Sequence, residues 1–481
     1  MKVLLTRPLN KTPVIIPAIG LGYLAAALRK AGHDVEIVDC LRERKGPQAF
    51  SEFLRNHRFE AIGFQVYTFD VECVSPYLKA AREVSPNAFI VAGGPHPSAE
   101  PAEMLARFPE LDAVFCGEAE PGFPVFCSRL TRYSQGRNGR QRFEDDPAVV
   151  SDIPGLVYRG GEGIVRNSQA VVEDLNSTGF PAWDLLRPEA CRVAPHGAFT
   201  RRLPAAPIIA TRGCPFDCAF CSGTFMSGKR VRARSPKNVV DEIEFLHDQH
   251  GIQEIHIEDD NFSLHRSFVQ EFCQELLRRQ IDIVWACPNG LRLDSLDKGL
   301  VQLMERSGCY SFAVGIESGN QRTLDRIGKR LKVGEVKDKI EMIRRNSRIR
   351  ITGFFILGYP GETVEEINNT IRFALDLDLD KANFAAFMPL PGSRIYRELR
   401  EKGLLDGLDF SRISELRVPF SSQEVGARRL RYLLRWAYFR FYGRPHIILR
   451  FLRDIRSFSQ ARVLFDRLRD FAASFYEGRS R

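Results

Sequence analysis

Cys214, Cys218 and Cys221 stand at x3 and x2 spacing within the run Arg212-Gly-Cys-Pro-Phe-Asp-Cys-Ala-Phe-Cys-Ser-Gly. Thiolate sulfur suits iron, and a cubane iron–sulfur cluster needs four ligands. Three thiolates on one loop leave one iron with an open position for an exogenous group. A structural zinc site needs a fourth Cys or His at ligand spacing. None stands nearby: the nearest are Cys191 and His196 upstream and His247 downstream. Three reduced, buried cysteines are the plain alternative, and it leaves the spacing unexplained. Further along, Glu258-Asp259-Asp260-Asn261-Phe262 gathers three carboxylates, for which a helix N-cap is the plain reading.

These groups need strands to hold them. Ile208–Thr211 precedes the cysteines and reads as a strand, followed by Glu254–Ile257, Val284–Cys287, Phe312–Ile316, Arg350–Leu357 and Asn383–Phe387. Helical periodicity separates them, and about six such βα units predict a partial TIM-type barrel with chemistry at its C-terminal strand ends. The first 150 residues alternate as well, with strands at Lys2–Arg7, Val35–Val38, Ala61–Val66, Phe89–Ala92 and Ala113–Phe115. Helical patterns lie around Leu21–Leu28, Gln48–Arg58, Val71–Val84 and Ala99–Arg107. That is the pattern of a parallel, doubly wound α/β sheet of Rossmann-like type. The expected organisation is an N-terminal domain over 1–145, a linker with short strands over 146–200, a barrel over 201–400 and a helical region over 401–481.

The cysteine loop resembles the CxxxCxxC signature of the radical S-adenosylmethionine (SAM) superfamily, with Phe220 in its aromatic slot. The resemblance spans roughly residues 200–400. It implies a [4Fe-4S] cluster on Cys214, Cys218 and Cys221, with SAM on the open iron as the source of a 5′-deoxyadenosyl radical. It also implies an external electron donor of flavodoxin or ferredoxin type. Glu258 and Asp259 fall where the superfamily binds the SAM amino group, and Glu317 with Ser318 where it meets the ribose. Phe354-Phe-Ile-Leu-Gly358-Tyr resembles the strand beside the adenine. Arg292 is open between pairing a carboxylate there and a surface ion pair.

The first domain lacks GxGxxG after its first strand, so a dinucleotide fold is disfavoured. Its strand ends and helix starts carry Pro17-Ala-Ile-Gly20-Leu-Gly, Gln65-Val66-Tyr67-Thr68, Gly93-Gly94-Pro-His96 and Gly117-Glu118. That set resembles the cobalamin-binding domain ahead of many radical SAM enzymes, over roughly residues 1–140, and implies cobalamin contacts at those positions. The DxHxxG motif is absent, so Gln65, Val66, Tyr67 and Thr68 are expected nearest the lower cobalt face. His33 and His96 read as hydrogen-bonded histidines before they read as cobalt ligands. The whole is similar to class B radical SAM methyltransferases, the anaerobic magnesium-protoporphyrin ester cyclase and hopanoid radical SAM proteins. Methylation of an unactivated carbon is the expected reaction. An oxidative cyclase or rearrangement is the alternative, as is an RNA methylthiotransferase with a second cluster on Cys40, Cys73 and Cys116. A non-enzymatic cobalamin or redox sensor has little use for an open iron.

At 481 residues, 44% hydrophobic and 27% charged, the chain is neither disordered nor fibrous. No run of eighteen apolar residues occurs, and Met1–Asn10 is too short in its apolar part for a secretory signal. A cytoplasmic protein is expected, and its eleven cysteines are then not a disulfide framework. Net charge is +9, but Ala427–Arg481 holds fourteen arginines against four acids, which leaves −1 for the rest. A basic, aromatic tail reads first as a helical cap, with Leu430, Leu433, Leu434, Ala437 and Phe441 near one face. It reads second as peripheral docking on an anionic membrane, suited to a lipid or membrane-held substrate. No recognition motif favours nucleic acid.

Overall fold

This computed structural model describes residues 1–10, 16–133, 147–191, 200–406 and 424–455, with short stretches elsewhere. β1 (Lys2–Arg7), β2 (Asp34–Asp39), β3 (Ala61–Gln65), β4 (Phe89–Gly93) and β5 (Ala113–Phe115) run parallel in the order β2-β1-β3-β4-β5. Helices cover both faces, so the strands are continuous apolar runs rather than alternating ones. Phe50, Leu54, Val74, Leu78 and Leu105 fill one face, and Leu21, Leu28, Phe123 and Phe126 fill the other. The order reverses between β1 and β3, which opens the ligand crevice at their carboxyl ends.

β6 (Leu156–Gly160) and β7 (Gly163–Arg166) extend this sheet antiparallel beyond β5. The segment read as a linker therefore contributes two strands to the first sheet. Local periodicity shows such strands but not the distant partner they choose.

The second sheet begins with β8 (Ala205–Ile208), a residue triplet earlier than the sequence reading placed it. Pro207 disguises that strand, and it is tolerated because β8 is an edge. Thr211 and Arg212 leave the sheet as β9, which pairs antiparallel with β10 (Arg232–Ala233). β11 (Glu254–Ile257), β12 (Val284–Leu291), β13 (Cys309–Glu317), β14 (Arg350–Leu357) and β15 (Lys381–Ala386) follow, each parallel and beside its predecessor. The result is a six-stranded open barrel.

Helix Ala427–Tyr442 closes the open edge at β15, burying Leu430, Leu433, Leu434, Ala437 and Phe441, the stripe expected from sequence. The hydroxyls of Tyr442 and Tyr438 accept the N–H groups of Ala382 and Phe384, each at 3.2 Å. Tyr442 also donates to the Ala382 carbonyl at 2.8 Å, so the exposed ladder of an edge strand is satisfied by side chains. Among the described residues, no helix is long and apolar enough to cross a membrane.

Candidate functional site

The three cysteines occupy the loop between β9 and the short helix Gly223–Ser227. Gly213 turns the chain into it at φ +97°, where a Cβ would lie 2.5 Å from the Arg230 carbonyl oxygen. Main-chain bonds fix the loop: Cys214 N–H to Gly228, Cys221 N–H to Cys218 and Ala219 N–H to Ile327. Ala219 also accepts from Ile395, so two barrel segments brace it. Burial pushes all three thiols up, Cys221 to about 11, so a cation is needed to hold them as thiolates. They act on one another electrostatically, yet among the described residues no three His, Cys, Asp or Glu side chains converge on one ion position. A cubane needs no such common position, because each thiolate binds a different iron.

Asp260 faces the loop: a Cβ on Gly223 would lie 3.2 Å from Asp260 Oδ1 and 3.4 Å from Cys221 Sγ. Asp259 turns away. Its oxygens accept from Ala210 N–H at 2.7 Å and Thr211 Oγ1 at 2.8 Å, and burial pushes its carboxyl up to about 7. Asn261 is buried with neither amide atom bonded, so it offers a donor and an acceptor to a ligand. Glu317 ends β13 in the left-handed region at φ 66°, and its carboxylate takes Lys329 Nζ at 2.7 Å. Burial works against the Lys329 ammonium, but Glu317 and then Cys218 outweigh it and hold its pKa up. A Cβ on Gly315 would lie 2.5 Å from Glu317 Oε1 and 2.6 Å from Lys329 Nζ, so glycine makes room for the pair.

At the first sheet, Gln65 ends β3 with Oε1 buried and unbonded, and a Cβ on Gly20 would lie 3.1 Å from its Nε2. Val66 and Thr68 are buried, and Tyr67 N–H is held by Asp70 at 2.9 Å. The Tyr67 ring stacks on Phe69 at 5.3 Å. Tyr67 is 36% exposed, and desolvation pushes its phenol up. Helix Pro95–Ala99, which follows Gly94, touches helix Gly223–Ser227, which follows the cysteine loop, so the ligand ends of the two sheets adjoin.

Neither candidate histidine is directed there. His33 lies at the amino end of β2, beside the Met1 amino group and 3.0 Å from Ser128 Oγ. His96 is buried and bonded to Glu103 at 3.1 Å.

Residues 208–374 match the radical SAM superfamily, and residues 8–126 match the B12 binding domain. The anaerobic magnesium-protoporphyrin IX monomethyl ester cyclase of Rubrivivax gelatinosus is 30% identical over 80% of this chain and 67% of its own. The chain belongs to the B12-binding radical SAM enzymes. An uncharacterized methyltransferase of Pyrococcus horikoshii is 28% identical over 98% of both chains. In fold the enzyme is similar to OxsB, a cobalamin-dependent SAM radical enzyme solved with aqua-cobalamin and SAM bound. The TM-score is 0.74 at 16% identity, over 98% of this chain and 71% of that one. The enzyme is a cobalamin-dependent, methyltransferase-like radical SAM enzyme, with a [4Fe-4S] cluster, SAM and cobalamin as cofactors.

Several residues expected on ligands also have partners within the chain. Asp259 supports the strand beneath the cysteine loop. Both Glu118 oxygens are taken by Arg232, at 2.7 and 3.0 Å, which shifts that residue from ligand contact to the seam between the sheets. Ser318 is buried against Thr370 and Asn320. Gly358, at φ +80°, lies under Leu430, which stands 2.5 Å from where its Cβ would be. Phe220 packs beside Ala219, Ile327 and Tyr359. Arg292 pairs with Asp294 at 2.9 Å and stacks 3.7 Å over Phe216. Gly117 has φ +74° and donates its N–H to Ser98 Oγ. For a second cluster, Cys40 follows β2 and Cys116 follows β5, with three strands between them. At neighbour spacings of about 4.8 Å that is ~19 Å, too far for one cubane.

Lys329 and Asn261 were not found by sequence reasoning. Lys329 follows a helix-stopping Gly328 and looks like any surface lysine there, and Asn261 sits inside a stretch read for its acids. Gly93 and Gly94 also separate. A Cβ on Gly93 has room, its nearest neighbour being Phe115 O at 3.7 Å, whereas one on Gly94, at φ +103°, meets Val66 O at 3.0 Å. Gly94→Ala is expected to weaken hydroxocobalamin binding about 5- to 30-fold, through strain of about 1–2 kcal/mol beside Gln65 and Val66. Gly93→Ala is expected to fold normally. Absorbance titration and melting of both variants check this.

Glu362 is fully buried, accepts N–H from Gly358 and Tyr359 at 2.8 and 3.1 Å, and is pushed by burial from 4.5 up to about 7. A carboxyl raised on folding contributes its stability in full below its unfolded pKa and loses it as pH rises through the folded value. Glu362→Gln keeps the acceptor and removes the titration. It is expected to flatten the fall in apo-protein stability between pH 4.5 and about 7, by on the order of 3 kcal/mol. Part of the slope will remain through Asp259. Urea melts across that range measure it.

Proposed function

We propose that the enzyme transfers a methyl group to an unactivated carbon of a small-molecule or lipid substrate. In this reading Cys214, Cys218 and Cys221 ligate the cluster, and Glu258, Asn261 and the Glu317–Lys329 pair border SAM. Gln65, Val66, Tyr67 and Thr68 lie below the cobalt. Residues 1–145 with β6 and β7 hold cobalamin, residues 201–400 hold the cluster and SAM, and 401–481 close the barrel. The observation that carries the reading is the contact of helix Pro95–Ala99, which follows Gly94 of the B12-type sheet, with helix Gly223–Ser227, which follows the cysteine loop of the barrel. Ligands at the two sets of strand ends would share one space. When bound, the cofactors supply hydrogen abstraction and a methyl group. The chain's own part is to hold and shield them: Lys329 fixes positive charge beside Cys218, and the Tyr67–Phe69 stack walls the space. An external donor of flavodoxin or ferredoxin type supplies electrons.

The test is anaerobic incubation of the loaded enzyme with reductant, methyl-labelled SAM and an extract of the host organism. A product carrying labelled methyl, with 5′-deoxyadenosine formed alongside, supports the reading. 5′-Deoxyadenosine with an altered but unlabelled product would instead favour cyclisation or rearrangement, as the name of the Rubrivivax relative suggests.

A membrane-held substrate is favoured by the outer face of the C-terminal helices. Tyr432, Trp436 and Phe439 form a stacked ladder, with Arg429 over Tyr432 and Arg440 over Trp436. Phe439 is 65% exposed, and Ile448, Leu449 and Leu452 of helix Pro445–Asp454 are exposed as well. Aromatics with flanking arginines suit an anionic interface. The enzyme is expected to sediment with anionic vesicles and not neutral ones. Serine at Tyr432, Phe439, Leu449 and Leu452 together should abolish this without unfolding the barrel. No sedimentation at low salt would remove the reason to favour a lipid.

A further inference from the structure

The two ends of the cysteine loop meet. Arg212 in β9 pairs across to Arg232 in β10, so residues 213–231, which carry all three cysteines, close on these arginines. Both arginines turn to one carboxylate of the other sheet. Glu118, in the turn after β5, takes Arg232 through both oxygens and Arg212 Nη1 at 3.4 Å. Arg212 Nη2 reaches Glu120 at 2.8 Å, and its guanidinium lies 5.0 Å over the Tyr23 ring. Arg232 also donates to the Val172 and Ser227 carbonyls, and Val172 N–H donates to Glu118. The charged side chains are nearly all buried. Buried ion pairs add little net stability over apolar packing, but a forked arginine fixes geometry and losing one partner is costly.

We propose that Glu118 is a positioning residue: by clasping both ends of the cysteine loop it sets that loop against the cobalamin-binding strand ends, so that cluster loading and cobalamin binding strengthen each other. The inference rests on the cluster and cobalamin sites proposed above. Main-chain bonds shape the loop and a loaded cluster stiffens it further, so that its neck holds Arg212 and Arg232 to Glu118 in one arrangement. That orders the Gly117–Glu118 turn before cobalamin arrives. Coupling of this kind is reciprocal, so cobalamin must slow iron loss by the same free energy.

The experiment titrates hydroxocobalamin into anaerobic wild-type protein with and without reconstituted cluster. Binding about fivefold or more tighter to the loaded form is expected. The ratio should fall to about one in Glu118→Gln, and to an intermediate value in Arg212→Lys, which leaves the Arg232–Glu118 fork intact. Equal affinities for the two wild-type forms overturn the proposal. So does a Glu118→Gln protein that melts lower but keeps the wild-type ratio, which marks a merely structural role. If Glu118→Gln does not fold, the wild-type and Arg212→Lys ratios decide, and an unchanged ratio in Arg212→Lys overturns the proposal. Wild-type protein that takes up no cobalamin, or no cluster iron, overturns the proposed sites themselves and the clasp with them.

Discussion

Alanine at Cys214, Cys218 or Cys221 is expected to abolish 5′-deoxyadenosine formation, a loss of more than about 10³-fold, or ~4 kcal/mol of barrier. Each change removes a thiolate from an iron that solvent does not replace well. The apo fold should survive, because the bonds that shape the loop are main-chain ones at Cys214, Ala219 and Cys221. The Cys221 sulfur itself accepts only a weak bond from Gly223 N–H, at 3.3 Å. Apo stability of Cys221→Ala should therefore stay within about 0.5 kcal/mol of wild type. Iron content, 5′-deoxyadenosine yield and a melt separate loss of the cluster from loss of the fold. Cobalamin should still bind, more weakly by the coupling factor. Alanine at Cys40 or Cys73 should leave SAM cleavage intact. If those variants lost it too, and wild type held a second cluster's iron, the methylthiotransferase reading would replace this one.

The cysteine loop was legible because its chemistry lives in a short spacing. Both sheets were legible from local pattern: the strands of the first are continuous buried runs, and helix Val71–Val84 and strands Glu254–Ile257 and Arg350–Leu357 have the bounds their periodicity predicts. What sequence reasoning lost depends on partners far along the chain. Glu118 looked like a residue for a ligand because it follows a strand end, but two arginines about a hundred residues later claim it. Asp259 stood in the right triplet and points to the wrong side, since only the backbone path after β11 decides which carboxylate faces the loop. Gly358 looked like a turn beside a ligand, and its open side is filled by Leu430 from the last helix. Lys329 gave no local signal. Its meaning comes from Glu317, whose carboxylate tertiary contact alone brings within 2.7 Å of it.

That last helix yields the other large effect. Ending the chain at Gly426 is expected to give insoluble or unfolded protein. Leu430, Leu433, Leu434 and Phe441 are at most 2% exposed against β15 and helix Val364–Asp376. At about 2 kcal/mol per buried side chain they contribute ~8 kcal/mol, comparable with the whole stability of a domain. Losing Tyr438 and Tyr442 would also bare the N–H groups of Ala382 and Phe384, an invitation to edge-to-edge aggregation. Leu434→Ala should cost about 2–5 kcal/mol, and Leu434→Asp should not fold, because a carboxylate there has no buried partner. Soluble yield and thermal melts of the truncation and the two Leu434 variants test this. A folded chain ending at Gly426 would show the helix to be dispensable to the barrel. Deletion of the basic tail is thus no clean test of membrane docking, because one face of helix Ala427–Tyr442 belongs to the core. Outward residues such as Tyr432 and Phe439, with Leu449 and Leu452 beyond, are the ones to change to ask that question of a folded enzyme.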